Sequence, residues 1–434
     1  MGLLIFCFLA VLFFATTALN QESTLMANAL LTINMITREA VRLWRNTNAF
    51  MQNIDTQYDD SFAQGGAKIG SALRIRLPND YVVRYGPAAQ VQDTTEPSTT
   101  LVLADQRGVD VSFSSAERSL SLDDYSKRVL APAVNNTAGS IAYTIMSGAE
   151  GGVSNLVANA PGGVLASPGA SIYLDAGAVL DENSAPVGNR KIVNHPRTQA
   201  SAVATLAGLF NPQPTISRQY TTGKMQEALG FDWMSDQTVL SHTNGTSVSG
   251  AATVNGAGQT GLTLVVGALA GSFNQGDIIT ISGVDSVNRI TKQDTGALRN
   301  FTVTAPAAAG STTISIYPAI VPPTGNGQTQ YQTVTASPAN GATISYAGLL
   351  TANQSYRKNF AFCPEAITMA TADLELPRGV HEAAREEFDG VSMRMVTQYN
   401  IATDQFITRM DVLFGFLYIR PEWAVVIADL NTPN

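Results

Sequence analysis

The sequence predicts an α+β fold whose body is interrupted by a small all-β insert. Three observations carry that prediction. From Ser121 to Gly148, Leu122, Tyr125, Val129, Ala138, Ile141, Ala142 and Ile145 recur three and four residues apart, the period of one helix face. Around Ala72–Tyr85 and again from Ser392 to Ala428 the period drops to two, the signature of strands. Between about His242 and Tyr346 the chain turns rich in Gly, Thr, Ser and Asn. Short strand-like runs at 262–266, 277–281, 300–304 and 312–317 are separated there by turn residues, as in a small barrel or sandwich.

Taken in order, the chain opens on an apolar run, Leu3–Ala18. It resembles the core of a signal peptide, although no Lys or Arg precedes it, and it is short for a membrane span. The alternative is an over-extended reading frame with the true start at Met26. From Asn28 to Met51 the pattern is helical, with Ile33, Ile36, Ala40, Leu43, Thr47 and Phe50 on one stripe. Leu73, Ile75 and Leu77 then alternate with Arg74 and Arg76. Pro78-Asn79-Asp80 makes a turn, and Tyr81, Val83 and Tyr85 alternate again, so a β-hairpin is expected with nothing local to bury against. Gln90–Thr100 is polar and shows no core pattern. Val109, Val111 and Phe113 form a short strand leading into the long helix. Ser121 with Asp123 and Asp124 caps that helix, Gly148, Gly151 and Gly152 end it, and Pro132 either kinks it or divides it in two. At 1.5 Å per residue an unbroken rod would run about 40 Å. Helices are expected at 172–182, 199–209 and 222–229, with a strand at 190–193. After the insert, 359–376 returns to strand patterns and 380–388 is expected as a short polar helix. Strands come next at 392–399, 405–411, 413–419 and 423–428.

Composition narrows the function. Of 434 residues 45% are hydrophobic and only 14% charged, so much of the surface needs cover other than charge, as in a large oligomer. The net charge of −8 argues against a direct nucleic-acid binder, whose phosphate contacts need a basic patch. Two cysteines, Cys7 and Cys363, give no disulfide framework. His195, His242 and His381 lack metal-ligand spacing and are expected as surface or loop residues. Gly65-Gly66 and Gly151-Gly152 have no phosphate-loop ending, Asp123-Asp124 is explained by helix capping, and Glu386-Glu387 by a solvated face. No catalytic constellation, metal site or cofactor is predicted.

Two stretches add a family resemblance. In Phe273–Val303, Gly276-Asp277, the strand Ile278–Ile281, Gly283-Val284, Val287-Asn288, Thr291-Lys292 and Phe301-Thr302-Val303 fall in the order found in the inserted β-domain of coat proteins of the Salmonella-podovirus type. Arg409–Val426 is similar to the closing strands of the same proteins, and Met26-Ala27-Asn28 to their openings. The resemblance implies a Hong Kong 97-like capsid fold: an arm at 26–60, an extended hairpin loop at 61–108, a peripheral domain with its spine helix at 109–170, and an axial domain at 171–241 and 347–377. It also implies an inserted β-barrel at 242–346, a peripheral C-terminal sheet at 378–434, and an extension of the reading frame at 1–25. The function implied by the resemblance is that of a tailed-phage major capsid protein of the virion. Copies would join as hexamers and pentamers of a shell in the host cytoplasm, with scaffolding protein and portal as partners, and would enclose DNA without binding it specifically and without a membrane. Arg74, Arg76, Tyr81, Arg84, Tyr85 and Trp44 are the expected subunit-interface residues. Lys68 near the hairpin is a conceivable crosslinking lysine, but the resemblance is to a subfamily that does without crosslinks.

A different class stays open at this point: a secreted or surface-exposed bacterial adhesin with Met1–Ala18 as its signal and 242–346 as its binding module. An enzyme is the third class, and no residue constellation supports it.

Overall fold

The structure, a computed structural model, describes residues 33–58, 72–77, 79–84, 86–89, 91–92, 97–114, 126–206, 225, 227–324, 329–388 and 390–430. Leu3–Ala18, Cys7, Met26, Lys68, Gly65-Gly66, Tyr85 and the Ser121, Asp123 and Asp124 cap lie outside the described residues.

The arm begins with α1 (Ile33–Thr47), whose apolar stripe is buried at Ala40, Val41 and Trp44. It lies across the spine helix and the sheet beside it, inside its own subunit. Trp44 is therefore a core residue, corrected from the expected subunit contact, because the stripe that seemed unpartnered finds its partner in the same chain. Strand β1 (Asp55–Tyr58) comes next. The spine itself is a π-helical turn at Ser126–Leu130 running into α2 (Ala131–Gly152). Pro132 stands in the first turn of α2, where its missing N–H is least costly, and the wider turn before it absorbs the ring. The α-helical part is thus about 33 Å long. Gly148 does not end it. A Cβ there would stand 2.3 Å from the Phe416 ring, so the glycine serves close packing, and the helix stops only at Gly152.

The face that α2 buries, from Ala133 through Ile141 and Ile145 to Ala149, joins α1 and a six-stranded sheet in one apolar cluster. That sheet has the order β1, β17 (Ile367–Ala372), β20 (Gln405–Tyr418), β19 (Val391–Asn400), β18 (Glu382–Phe388), with β4 (Asp105–Ser114) also on β20. Strand β20 is its axis: it pairs with β19 over 405–411, with β4 over 405–414 and with β17 over 413–418. Two expectations change here. The runs 405–411 and 413–419 are one strand of 14 residues. Residues 382–388, expected as helix, are strand β18, laddered on β19 from Glu382↔Thr397 to Phe388↔Val391. Their Glu, Ala and Arg composition favours a helix, but the partner edge of β19 overrides it.

A seven-stranded sheet forms the second layer, in the order β5 (Leu156–Ala158), β21 (Ala424–Leu430), β16 (Ser355–Phe362), β6 (Lys191–Asn194), β8 (Phe231–Ser235), β7 (Glu227–Ala228), with β9 (Ser241–Thr243) also on β16. Helix α3 (Ala170–Glu182) packs on it through Tyr173, Ala176 and Leu180, beside Phe231 and Trp233. Helix α4 (Pro196–Leu206) starts three residues before the helix expected at 199–209, on a proline whose fixed φ suits a first turn. The helix expected at 222–229 is corrected where it is described. Glu227–Ala228 is strand, folded onto β8 by Leu229 and Gly230, both at positive φ (54° and 82°), a two-residue turn that no helix could continue through.

The insert leaves this sheet as a continuation of the β9–β16 ladder. Asn244 N donates to Gln354 O and Asn353 N to Gly245 O, each 3.0 Å, so entry and exit run side by side. Its six strands are ordered β10 (Ala252–Thr253), β15 (Thr343–Tyr346), β12 (Ile278–Val287), β13 (Asp294–Val303), β14 (Thr313–Ile320), β11 (Gly261–Val265). The first and last are joined by the Val254↔Val266 bridge, which closes the sheet into a barrel around Ile279, Ile281, Phe301, Val303, Ile314 and Ile344.

The hairpin also differs from expectation. Strand β2 (Ala72–Arg76) pairs with β3 (Ser98–Val102), from Ala72↔Val102 to Arg76↔Ser98. The return strand is thus the end of the polar stretch, not Tyr81–Tyr85. Thr99 and Thr100 are good strand formers without being apolar, and Leu101 is the one buried residue of the strand, so the run carried no apolar alternation. Leu101 and Leu103 seat the root of the hairpin on Ala370, Ala372 and Leu413.

At that seat Gly415 lies against the hairpin backbone, and a Cβ on it would come 2.2 Å from Val102 O. Gly415→Ala is expected to destabilise the dispersed subunit by about 2–3 kcal/mol, the cost of overpacking against a rigid neighbour. Thermal unfolding followed by circular dichroism checks it, and an unchanged transition would remove this contact from the account.

Candidate functional site

Beyond its root, the hairpin is tied to the barrel where Asp80 Oδ1 accepts from Arg289 Nη2 (3.2 Å) and Asn79 Oδ1 from Tyr331 Oη (3.2 Å). Leu77 N donates to Pro97 O (2.8 Å), and the Gln92 side chain bonds both backbone groups of Val82, accepting from its N–H at 2.8 Å and donating to its carbonyl at 2.6 Å. Between and around these bonds Tyr81, Val83 and Val91 are exposed, Val91 at 97%. Arg74 and Arg76 are exposed on β2, Arg74 Nε donating to Ser98 Oγ at 2.8 Å. Arg84 is exposed and bonds the carbonyls of Gly86 and Ala88, which curls the tip on itself. Of the six expected interface residues, Arg74, Arg76, Tyr81 and Arg84 therefore lie together on one projecting element, while Trp44 is internal. A projecting element that exposes tyrosine and valine among arginines has the composition of a contact surface.

The second concentration of chemistry was invisible in the sequence. His242, expected at the surface, is 5% exposed and stands between two carboxylates. Its Nδ1 is 3.2 Å from Glu150 Oε1, and its Nε2 is 2.8 Å from Asp277 Oδ1. Glu150 comes from the last turn of α2, His242 from β9 and Asp277 from the loop entering β12 of the barrel. Asp277 is completed by backbone donors, Gly245 N at 3.1 Å and Asn274 N at 2.8 Å on Oδ2. Lys358 of β16 reaches the same point from below: its Nζ donates to Gly276 O at 2.8 Å and lies 3.9 Å from Glu150 Oε1. Thr302 Oγ1 donates to the Glu150 carbonyl at 3.0 Å, tying the barrel to the helix end a second time.

The arrangement has little spare room. Gly276 has φ +90°, and a Cβ there would lie 2.9 Å from both Glu150 Cβ and Lys358 Nζ. The His242 ring thus has a carboxylate oxygen within hydrogen-bond distance of each of its nitrogens. Burial pushes the Glu150 carboxyl up, but the hydrogen bond to His242 and the charges of Lys358 and His242 outweigh it and hold it below the ordinary range. Burial pulls the Lys358 ammonium down to about 8, against the pull of Glu150 and Asp277. Four polar side chains from four separate elements thus meet at one point, so their work is to fix α2, the seven-stranded sheet and the barrel relative to one another. The only sequence signal was Gly276-Asp277 before a hydrophobic strand, and nothing in the sequence tied it to Glu150, His242 and Lys358, which lie far away along the chain.

Among the described residues no His, Cys, Asp and Glu are grouped so as to hold a metal ion, and no helix is long and apolar enough to cross a membrane. Cys363 is buried and its thiol is pushed up to about 11 by that burial, so the thiolate needed for nucleophilic work is not formed at neutral pH.

Residues 170–427, more than half of the chain, match the protein family described as P22 coat protein, gene protein 5. No curated protein sequence matches the chain. Among solved structures, the chain is similar to the capsid of Ralstonia phage GP4, at 9% identity over 90% of this chain and 93% of that one, with a TM-score of 0.44. It is also similar to a solved structure of Mycobacterium phage Che8, at 9% identity over 88% of this chain and 90% of that one, with a TM-score of 0.42. The CUS-3 coat protein I-domain is similar at 28% identity to 23% of this chain, over 97% of its own length, with a TM-score of 0.19.

The buried lysine gives the junction a pH signature. Folded, Lys358 loses its proton near 8; unfolded, near 10.5, so between these values the unfolded chain binds more protons and stability rises with pH. Wild-type protein is expected to gain stability relative to Lys358→Met from about pH 8 to about pH 10, with the difference flat below about pH 7. Urea unfolding at each pH measures it, and parallel curves throughout would show that the ammonium is not held in this network.

Proposed function

The chain belongs to the P22 coat protein family and is a phage major capsid protein, and on that premise we propose that its hairpin is a contact through which copies close into an icosahedral shell. The observation that carries the family reading is the match over 170–427, which takes in the whole barrel and most of the seven-stranded sheet. The same match removes support from the adhesin alternative, since the Gly- and Thr-rich region on which that alternative rested is the family's own.

The subunit has the Hong Kong 97-type organisation, because arm, hairpin, spine, axial sheet and insert succeed one another in the expected chain order. Hexamers and pentamers of the subunit form a procapsid in the host cytoplasm, with scaffolding protein and portal, and the shell expands when DNA is packaged. A subunit of net charge −8 around packed DNA repels phosphate rather than trapping it, so the genome is enclosed without specific binding. The hairpin joins neighbours because it exposes Arg74, Arg76, Tyr81 and Arg84, and an acidic chain offers carboxylates to those arginines on the next copy.

The double substitution Arg74→Glu, Arg76→Glu tests this. The monomer is expected to fold normally by circular dichroism while the yield of sedimenting shells falls by about tenfold or more, since reversing two charges per contact costs at least about 1.4 kcal/mol at each interface. Shells of normal yield and diameter in electron micrographs would refute the role assigned to the hairpin.

A further inference from the structure

Asparagine followed by glycine is the dipeptide most open to spontaneous loss of ammonia. The glycine nitrogen, once it has lost its proton, attacks the preceding side-chain amide, and glycine has no side chain to obstruct the ring that forms. The chain has four such pairs, Asn244-Gly245, Asn255-Gly256, Asn326-Gly327 and Asn340-Gly341, and all four fall in the insert. Asn326-Gly327 lies outside the described residues.

In each of the other three the glycine N–H is taken by an acceptor. Gly245 N donates to Asp277 Oδ2 at 3.1 Å, and Asn244 is itself buried, with its Nδ2 donating to Thr351 O at 2.9 Å. The remaining two pairs are exposed and lie against one another. Val254 N donates to Ala342 O at 2.9 Å and Gly341 N to Val254 O at 2.8 Å, which carries the β10–β15 ladder to its end. Gly256 N finds its acceptor in a side chain, Asn340 Oδ1, at 2.8 Å. That bond also occupies the Asn340 side chain, so the two exposed pairs restrain each other. A bonded N–H must open before it can lose its proton, so the bond sets how often the attack can begin.

We propose that Asn255-Gly256 is a self-modification site of the barrel, kept closed by the Asn340 side chain. When the bond opens, the Gly256 nitrogen gives its proton to solvent and forms a C–N bond to the Asn255 side-chain carbonyl carbon. The C–N bond of the side-chain amide breaks, its nitrogen leaves as ammonia with a proton taken from water, and a succinimide ring remains. Water then opens the ring at either carbonyl and leaves aspartate or isoaspartate. Nothing is oxidised or reduced, and water is the only co-reactant. Either product adds a negative charge to a chain already at −8. Isoaspartate also lengthens the main chain by one atom just beyond β10, where the register with β15 is set.

The test is ageing of the full chain, as dispersed subunits in mildly alkaline buffer, with deamidation at each Asn-Gly pair followed by peptide mass spectrometry. Asn340→Ala is expected to speed the Asn255 reaction about fivefold over wild type, the factor by which one ordinary hydrogen bond suppresses opening. Asn244 is expected to keep its rate, and Asn340→Asp, which retains an acceptor at the same position, to leave Asn255 at the wild-type rate. Three results would overturn the proposal. One is an Asn255 rate in Asn340→Ala equal to wild type, and another is an Asn340→Asp chain as fast as Asn340→Ala. The third is equal acceleration at Asn255 and Asn244, which is loosening of the whole barrel. Should Asn340→Ala fail to fold, hydrogen exchange of the Gly256 N–H in the wild-type chain decides: slowed exchange supports the closed site, and exchange at the rate of a free amide overturns it.

Discussion

The last turn of the spine helix is where the subunit is held together. Glu150 there faces His242 and Lys358, Thr302 of the barrel bonds its carbonyl, and one turn earlier Tyr418 Oη donates to Ile145 O at 2.7 Å. Gly148 admits the Phe416 ring at the same level. Helix, seven-stranded sheet, barrel and β20 therefore meet within one small region, and much of the contact there is polar and buried. Apolar contacts alone would let such elements slide, because the hydrophobic effect is non-directional. Hydrogen bonds at fixed angles and charges that must stay compensated do not. For a subunit whose neighbours depend on its outline, a fixed angle between elements matters more than some extra burial.

What was legible in the sequence tracked periodicity. The spine's buried face, α1, α3 and β4 announced themselves as apolar residues at spacing two or three and four, because one face of each is buried and the other is not, while the barrel strands showed as short runs punctuated by turn residues. The misreadings have a common cause as well. Strand β18 is written in helix-forming residues and becomes strand only because β19 leaves it an edge; β7 is two residues long and exists because Leu229 and Gly230 turn it. The true hairpin return, Ser98–Val102, has one buried residue and so no period to find. Chain order and family resemblance supplied the architecture that local pattern could not.

The candidate site was less legible than the fold. Arg74, Arg76, Tyr81 and Arg84 could be picked because a strand with arginines on one side and no local core is unusual in itself. Trp44 was misplaced because an amphipathic helix at the start of a chain looks the same whether it docks on its own subunit or on another. The Glu150–His242–Asp277–Lys358 cluster could not be found at all. Each member is unremarkable among its neighbours in sequence, and only the route of the chain through separate elements brings them together.

The side-by-side entry and exit of the barrel, with Asn244 bonded to Gln354 and Gly245 to Asn353, has a bearing on how such a chain can change over time. To the body, the whole run of residues between these bonds amounts to the tip of a hairpin. A closed barrel exposes no sheet edge that the body would have to cover. Such a module can be lengthened, shortened or exchanged for another while the ladder beneath it keeps its register. The surface it presents is then free to meet new demands without the shell lattice having to be redrawn.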